Sequence, residues 1–328
     1  MPPPLQDALF ESPLRVDQTV PRAWVHKRSL DNVFVTEIRA CADDRFICAG
    51  RLPTAHRFFN DVGRRPQDDI LFYTELGCQA SLTVCHAIYD VGKDDAFIVE
   101  GSHAALTEAA WETTGDDGEA VTIEVRIQDL ISAKSNAVSR VLTEHTMSIG
   151  ARHVFRGTGV FTIQPSPVFQ RLRRLSAGRT AAALFDAGTV TETRTALVPR
   201  ASGDNIAISP PRRGHANGIT SSVVVDRRHP YFFDQPCDHV PVTLLLEACA
   251  QLASSSFLAS TGIEPLGVSE CTASFMQFVE AGVPAEVTAH VGLWTRADDL
   301  RPAVFLNISQ QGTLCGTATM HLEVPSGR

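Results

Sequence analysis

The chain has 328 residues, 44% of them hydrophobic and 20% charged, with a formal net charge of −8. That length suffices for two domains with a core each, and the acidic balance excludes general nucleic-acid binding, which needs a basic surface. No apolar run approaches the roughly 18–20 residues that span a bilayer, and Met1-Pro2-Pro3-Pro4-Leu5 lacks the basic start and apolar stretch of a signal peptide. A cytoplasmic protein with neither a membrane nor a nucleic-acid partner is therefore expected.

The first element in the chain is a short strand at Asp31-Asn32-Val33-Phe34-Val35-Thr36. It is followed by His56 and the cluster Phe58-Phe59-Asn60. Residues 68–90 are apolar nearly all round and about twenty residues long, which predicts a buried helix rather than a strand. Asp68 and Asp69 stand at its start, where capping side chains and negative charge are favoured, and Glu75 and Gln79 lie within it. Four alternating stretches then read as strands: Phe97–Leu106, Ala120–Leu130, Arg140–Gly150 and His153–Ile163. Ser166–Gly178 has the pattern of a short amphipathic basic helix. Its arginines Arg171, Arg173 and Arg174, with Arg179 beyond, could meet an acidic carrier protein or form a solvated face.

After a linker to residue 200 the pattern recurs. Asp204-Asn205-Ile206-Ala207-Ile208-Ser209 repeats the first strand at an offset of 173 (204 − 31), and His229 repeats His56 at the same offset. Phe232-Phe233-Asp234 follows the second His. The helix at 241–261, with Thr243 near its start, carries Glu247 and Gln251, each 172 residues beyond its counterpart. Strands are expected at Leu266–Phe278, Ala285–Trp294, Ala303–Gln310 and Gly312–Val324. A nearly constant period over three anchors, with one residue lost between His and Glu, marks an internal duplication.

One long helix, a short strand before it and an antiparallel meander after it is an α+β pattern. A sheet wrapped around one buried helix is a hotdog, so the expected architecture is a double hotdog. Its parts would be an N-terminal unit at 24–164, a linker with a short basic helix at 165–200 and a C-terminal unit at 201–326. The two units would form a pseudo-dimer within one chain, and a homodimer of such chains is conceivable.

Chemistry is expected at Glu-x-x-x-Gln on each central helix. Residues four apart share a helix face, and a carboxylate in an apolar helix is costly unless partnered. Burial is expected to raise its pKa towards that of a general base or acid working near neutrality. Each His stands beside aromatic residues, where it is either a hydrogen-bonded turn residue or a catalyst, and the pairs Glu247 with His56 and Glu75 with His229 are candidates. Asp238 and His239 could contribute or could anchor the loop entering the second helix. The eight cysteines show no CxxC or metal-ligand spacing. No metal or other cofactor is expected, and Cys78, Cys85 and Cys249 in apolar runs read as buried reduced thiols.

The segment His229-Pro230-Tyr231-Phe232-Phe233-Asp234, with Asp238-His239-Val240-Pro241 and the Glu247-bearing helix, distantly resembles the hotdog β-hydroxyacyl-carrier-protein dehydratases. In those enzymes the His stands closer to the Glu than His229 does here. A closer resemblance covers nearly the whole chain. Val25-His26-Lys27-Arg28-Ser29, Asn32-Val33-Phe34-Val35-Thr36, His229–Asp234 and Asp238–Pro241 together resemble the A-factor biosynthesis family, which makes γ-butyrolactone signals. The resemblance implies transfer of a β-ketoacyl group from an acyl-carrier-protein thioester to a hydroxyl acceptor, dihydroxyacetone phosphate. Glu247, Glu75, His229 and His56 would then be catalytic, and Gln251, Gln79, Asp238, His239, Arg227 and Arg228 would bind substrate. The family commonly has Arg three residues after each helix Glu, where this chain has Cys78 and Ala250, and Gly where it has Val242. A different acceptor, another charge partner (Arg227, Arg228 or Lys27) or a weakened site would each fit that departure. A thioesterase or dehydratase, or a non-catalytic acyl-binding protein, stands as the alternative.

Overall fold

The computed structural model describes residues 14–325 apart from 43, 62–68, 112–119, 133–137, 178–197, 215–217, 236 and 297–298. Asp68, Arg179 and most of the 179–200 linker therefore lie outside the described residues. The first repeat supplies β1 (Val35–Ala42), β2 (Arg45–Arg51), β3 (Ala96–Leu106), β4 (Ala120–Ser132), β5 (Val138–Ile149) and β6 (Arg152–Gln164) around helix α1 (Ile70–Ala87). Helix α2 (Ser166–Ala177) follows. The second repeat supplies β7 (Arg212–Arg213), β8 (Ile219–Ser222), β9 (Gly267–Phe275), β10 (Ala285–Arg296), β11 (Asp299–Gln310) and β12 (Thr313–Glu323) around α3 (Val242–Thr261).

Among the described residues the strands form one antiparallel sheet in the order β1-β2-β4-β5-β6-β3-β9-β12-β11-β10-β8-β7. The repeats meet where β3 pairs with β9, from Gly101 opposite Ser274 to Ala105 opposite Glu270. Strict alternation drives the strands. Along β5, Val141, Thr143, His145, Met147 and Ile149 point inward while their neighbours are half-exposed. The concave side wraps α1 and α3, which also touch one another. The fold is thus the double hotdog read from the repeat.

Both helices are buried on nearly all sides, so tertiary packing rather than amphipathicity holds them. Asp69 caps α1 by accepting a hydrogen bond from Leu71 N at 2.9 Å. Gly262 ends α3 in the left-handed region at φ 73°, donating from its N–H to the Leu258 carbonyl. By length and hydropathy α3 could cross a bilayer, contrary to the sequence expectation, yet 72% of its apolar window is buried inside the protein. It is the core helix of a sheet.

Two local features differ from the sequence reading. Leu30–Asn32 is a 3-10 turn, with the strand starting only at Val35, because the Ser29 hydroxyl accepts from Asp31 N. The strand β2, not read from sequence, then folds back on β1 as a hairpin. In α2, Arg171 and Arg174 are exposed but Arg173 turns inward. Its guanidinium lies 3.0 Å from Asp238 and donates to both Glu280 oxygens at 2.9 and 2.6 Å. Arg173 therefore pins α2 to the loop before α3, neither solvated nor available to a carrier protein.

Candidate active site

The duplicated residues build two copies of one framework. Gln79 Oε1 accepts from Phe34 N at 2.9 Å, and its amide donates to the Asn32 carbonyl and to Glu75 Oε1, both at 2.7 Å. Gln251 repeats this with Ala207 N, the Asn205 carbonyl and Glu247 Oε1 at 2.9, 2.8 and 2.6 Å. Read from sequence as substrate-binding, both glutamines instead spend every amide group on holding a glutamate against the turn that enters the repeat. Their near-complete burial leaves no group for a ligand.

The histidines are likewise spent. His56 Nε2 lies 2.9 Å from Asn32 Oδ1, and its Nδ1 accepts from the backbone N–H of Phe58 and Phe59. His229 does the same with Asn205 Oδ1, Tyr231 N and Phe232 N. Burial pushes His56 down to about 4 and His229 also below its ordinary value, so both rings are neutral turn anchors. Neither expected pairing, Glu247 with His56 or Glu75 with His229, is made as a hydrogen bond among the described residues.

The carboxylates differ. Glu75 Oε1 lies 2.8 Å from Lys27 Nζ, and its Oε2 accepts from the Tyr231 hydroxyl at 3.2 Å. Burial acts to raise its pKa, but Lys27 and the bonds from Gln79 and Tyr231 outweigh that and hold the carboxyl below its usual range. The sequence expectation of a raised pKa is thus overturned by a cation the helix does not carry. Lys27 also sits 5.2 Å from the centroid of the Tyr231 ring, which belongs to the other repeat.

At the equivalent place in the second repeat, 173 residues on (200 − 27), stands Arg200. It grips Glu247 through two parallel bonds of 2.7 and 2.8 Å, donates to the Phe58 carbonyl at 2.9 Å and lies 4.0 Å over the Phe58 ring. Asp69 of α1 approaches the same guanidinium at 3.7 Å. Burial opposes the charge on Arg200, but Glu247 and Asp69 prevail and raise its pKa above the ordinary value. Arg200 and Glu247 are 4% and 2% exposed, and neither lines the cavity or the groove that Glu75 borders. At the pseudo-twofold axis between the halves, Phe58 and Tyr231 stack with centroids 4.8 Å apart and planes at 15°.

Glu75, by contrast, lines open space. An apolar cavity of about 90 Å³ runs between α1 and the β3–β6 face. Gly157 and Gly159 on β6 leave it room, since a side chain there would meet Phe155 or Phe161. A broader groove, lined by Arg22, His26, Lys27, Arg28, Lys93 and His239, opens on the other side of Glu75. Val242 and Thr243, the first residues of α3, line both spaces. The α3 N-cap, Pro241, makes no side-chain cap, whereas Asp69 fills the matching position of α1. An uncapped helix start facing a cavity offers backbone N–H groups to an anion.

Other expected residues lie off the site. Arg228 pairs with Asp226 at 3.0 Å and Arg227 donates to the Cys237 carbonyl at 3.0 Å. Neither is among the residues lining the cavity or the groove. Asp238 is engaged with Arg173 and with His239 Nδ1 at 2.9 Å, anchoring the loop into α3, while His239 borders the groove. All eight cysteines are unpaired. Cys78, where the family commonly has Arg, is half-buried on the cavity wall rather than fully buried as expected, and desolvation pushes its thiol up to about 12.

The profile of the A-factor biosynthesis hotdog domain matches residues 10–163 and again 181–325. The chain belongs to this family. Two Streptomyces relatives are each named 2-oxo-3-(phosphooxy)propyl 3-oxoalkanoate synthase. The protein from Streptomyces virginiae is 26% identical over 72% of this chain and 76% of its own length. The one from Streptomyces griseus subsp. griseus is 28% identical over 88% and 86%. A Lactobacillus plantarum structure assigned as an oleoyl thioesterase superposes with TM-score 0.54 over 87% of this chain and 99% of that one. At 14% identity that likeness establishes the fold only.

Proposed function

We propose that this chain is an acyltransferase moving a 3-oxoacyl group from a carrier-protein thioester to the hydroxyl of dihydroxyacetone phosphate, and that it works at the Glu75 half. The observation carrying this is the unequal wiring of two equivalent glutamates. Glu75 borders a cavity, a groove and an uncapped helix start, whereas Glu247 is locked to Arg200. The relatives' name describes the matching product, a 3-oxoalkanoate ester of that acceptor.

The acyl chain occupies the apolar cavity and its thioester carbonyl turns towards Val242 and Thr243. Backbone N–H groups there stabilise the oxyanion as the acceptor oxygen bonds to the carbonyl carbon. Glu75 takes the hydroxyl proton. When the intermediate collapses the C–S bond breaks, and that proton leaves on the thiol. Lys27 faces the groove, where the acceptor phosphate would partly neutralise it and weaken its hold on Glu75, making the carboxylate a stronger base. Exposed Arg171 and Arg174, with Arg28 and Lys93 at the groove, form a basic rim suited to an acidic carrier protein. Action in the cytoplasm is consistent with the unpaired thiols.

One assay separates transfer from hydrolysis: 3-oxoacyl carrier protein with and without dihydroxyacetone phosphate. Ester forming only with acceptor is the expected result, and free acid at equal rates in both tubes overturns it. Glu75→Gln should lower the rate by about 10²–10⁴-fold, while Glu247→Gln acts through stability. Equal activity per folded molecule in wild type and Glu75→Gln would remove Glu75 from the reaction.

A further inference from the structure

On the cavity wall with Glu75 lies an imidazole that the duplicated framework does not use. His145 projects inward from β5 and is 4% exposed. Its Nε2 is 2.8 Å from Ser81 Oγ, which in turn lies 3.0 Å from both Thr143 Oγ1 and the Gly77 carbonyl. The other ring nitrogen, Nδ1, has no hydrogen-bond partner among the described residues. It lies on the edge of the ring towards Gly77, where an added Cβ would sit 3.2 Å from it, and both residues line the cavity. Around them the wall is apolar, with Leu71, Val99, Phe155 and Phe161.

Nδ1 is not one of the fully enclosed polar atoms that lack a partner, such as Thr36 Oγ1 or Ser256 Oγ, and so keeps access to the cavity. Packing alone would favour an apolar residue at an inward β5 position. A ligand group that completes the hydrogen bond accounts for the imidazole. A 3-oxoacyl chain carries such a group two bonds beyond the reacting carbonyl, within the part of the chain that enters the cavity.

We infer that His145 Nδ1 is the recognition point for the 3-oxo oxygen of the acyl donor, an assignment that rests on the acyl-transfer reading above. In the free protein the Ser81 hydroxyl donates to the Gly77 carbonyl and that of Thr143 to the Gly159 carbonyl. With the acyl donor bound, Ser81 turns to donate to Nε2 and Thr143 turns to donate to Ser81. The proton then stands on Nδ1 and is donated to the ketone oxygen. Burial pushes the ring down to about 4, so it acts as a neutral hydrogen-bond donor and not as an acid. A saturated chain would leave Nδ1 unmatched, which is how the site discriminates.

The test uses the full-length protein with 3-oxoacyl and saturated acyl thioesters of one chain length. Wild type should favour the 3-oxoacyl donor in kcat/KM by about tenfold or more, and His145→Phe, which keeps the bulk of the ring, should collapse that ratio towards one. Ser81→Ala keeps the imidazole and removes the relay, so it should reduce the ratio in part, and it decides the question if His145→Phe fails to fold. Calorimetric binding of both thioesters without acceptor should show the same preference. An unchanged ratio in the variants, or no preference in wild type, overturns the assignment. A wild-type protein that binds with this preference yet transfers nothing would fault the transfer reading while leaving His145 as the recognition group.

Discussion

Lys27 and Tyr231 set the chemistry of the open half more than the glutamate itself does. A carboxylate on an apolar helix would by burial alone be a weak acid, but a cation at 2.8 Å reverses the sign. Lys27→Met should therefore release Glu75 to the effect of burial, moving the acid limb of kcat/KM towards neutral pH. In wild type the same limb, read in kcat, should lie higher with dihydroxyacetone phosphate than with dihydroxyacetone, because only the phosphate offsets Lys27. Identical limbs for the two acceptors and an unmoved limb in the variant would dissociate Lys27 from the base. Lys27 was legible as a possible charge partner, since it sits in the motif Val25–Ser29. Its geometry was not, because 48 residues (75 − 27) separate it from Glu75. The Tyr231 hydroxyl was missed, although the 173-residue offset places Tyr231 opposite Phe58 and so shows a hydroxyl in one copy only.

Between the elements, one buried cation ties the Glu247 half together. Arg200 links the start of α1, through Asp69, to the face of α3, through Glu247. Removing the cation alone leaves two carboxylates buried. Burial already pushes Asp69 up, with Arg200 pulling it down and Glu247 pushing it further. Arg200→Ala should cost about 3–5 kcal/mol, and the double variant Arg200→Met, Glu247→Leu should recover most of that. Denaturant titrations measure both, and an Arg200→Ala protein of wild-type stability would contradict the account. The central helices and most strands were legible because their apolar spacing is long and regular. The short β7 and β8 and the β1–β2 hairpin were not, for they depend on pairing at the sheet edge rather than on local pattern. Arg200 was placed in a linker, yet the 173-residue offset that found His229 also points from Lys27 to Arg200.

At the scale of the whole molecule, the seam between β3 and β9 and the exchange of aromatic residues across the axis join the two hotdogs into one sheet with a shared core. Asp234 of the second repeat accepts from the backbone N–H of Arg28 and Ser29 at 2.6 and 3.0 Å, and Asp61 of the first accepts from Ser202 N at 2.8 Å. Neither turn is complete without the other repeat. Buried imidazoles in this body make acid its weak point. His26, His56 and His145 are each pushed down to about 4 by burial, so they stay neutral in the folded chain, while the unfolded chain protonates them near 6.5. Below 6.5 the unfolded state therefore binds more protons than the folded one, and stability present at neutral pH is lost as pH falls towards 4. Thermal melts should show a nearly constant Tm above pH 7 and a steady fall from pH 6.5 to 4. The fall should be shallower in His145→Phe, which removes one such imidazole and leaves His86 and His229, also held below their ordinary value by burial, acting in the same sense. A Tm that is flat across that window would mean the imidazoles are already protonated in the folded chain. In that case the framework bonds in which His56 Nδ1 accepts from Phe58 and Phe59 would not exist as described.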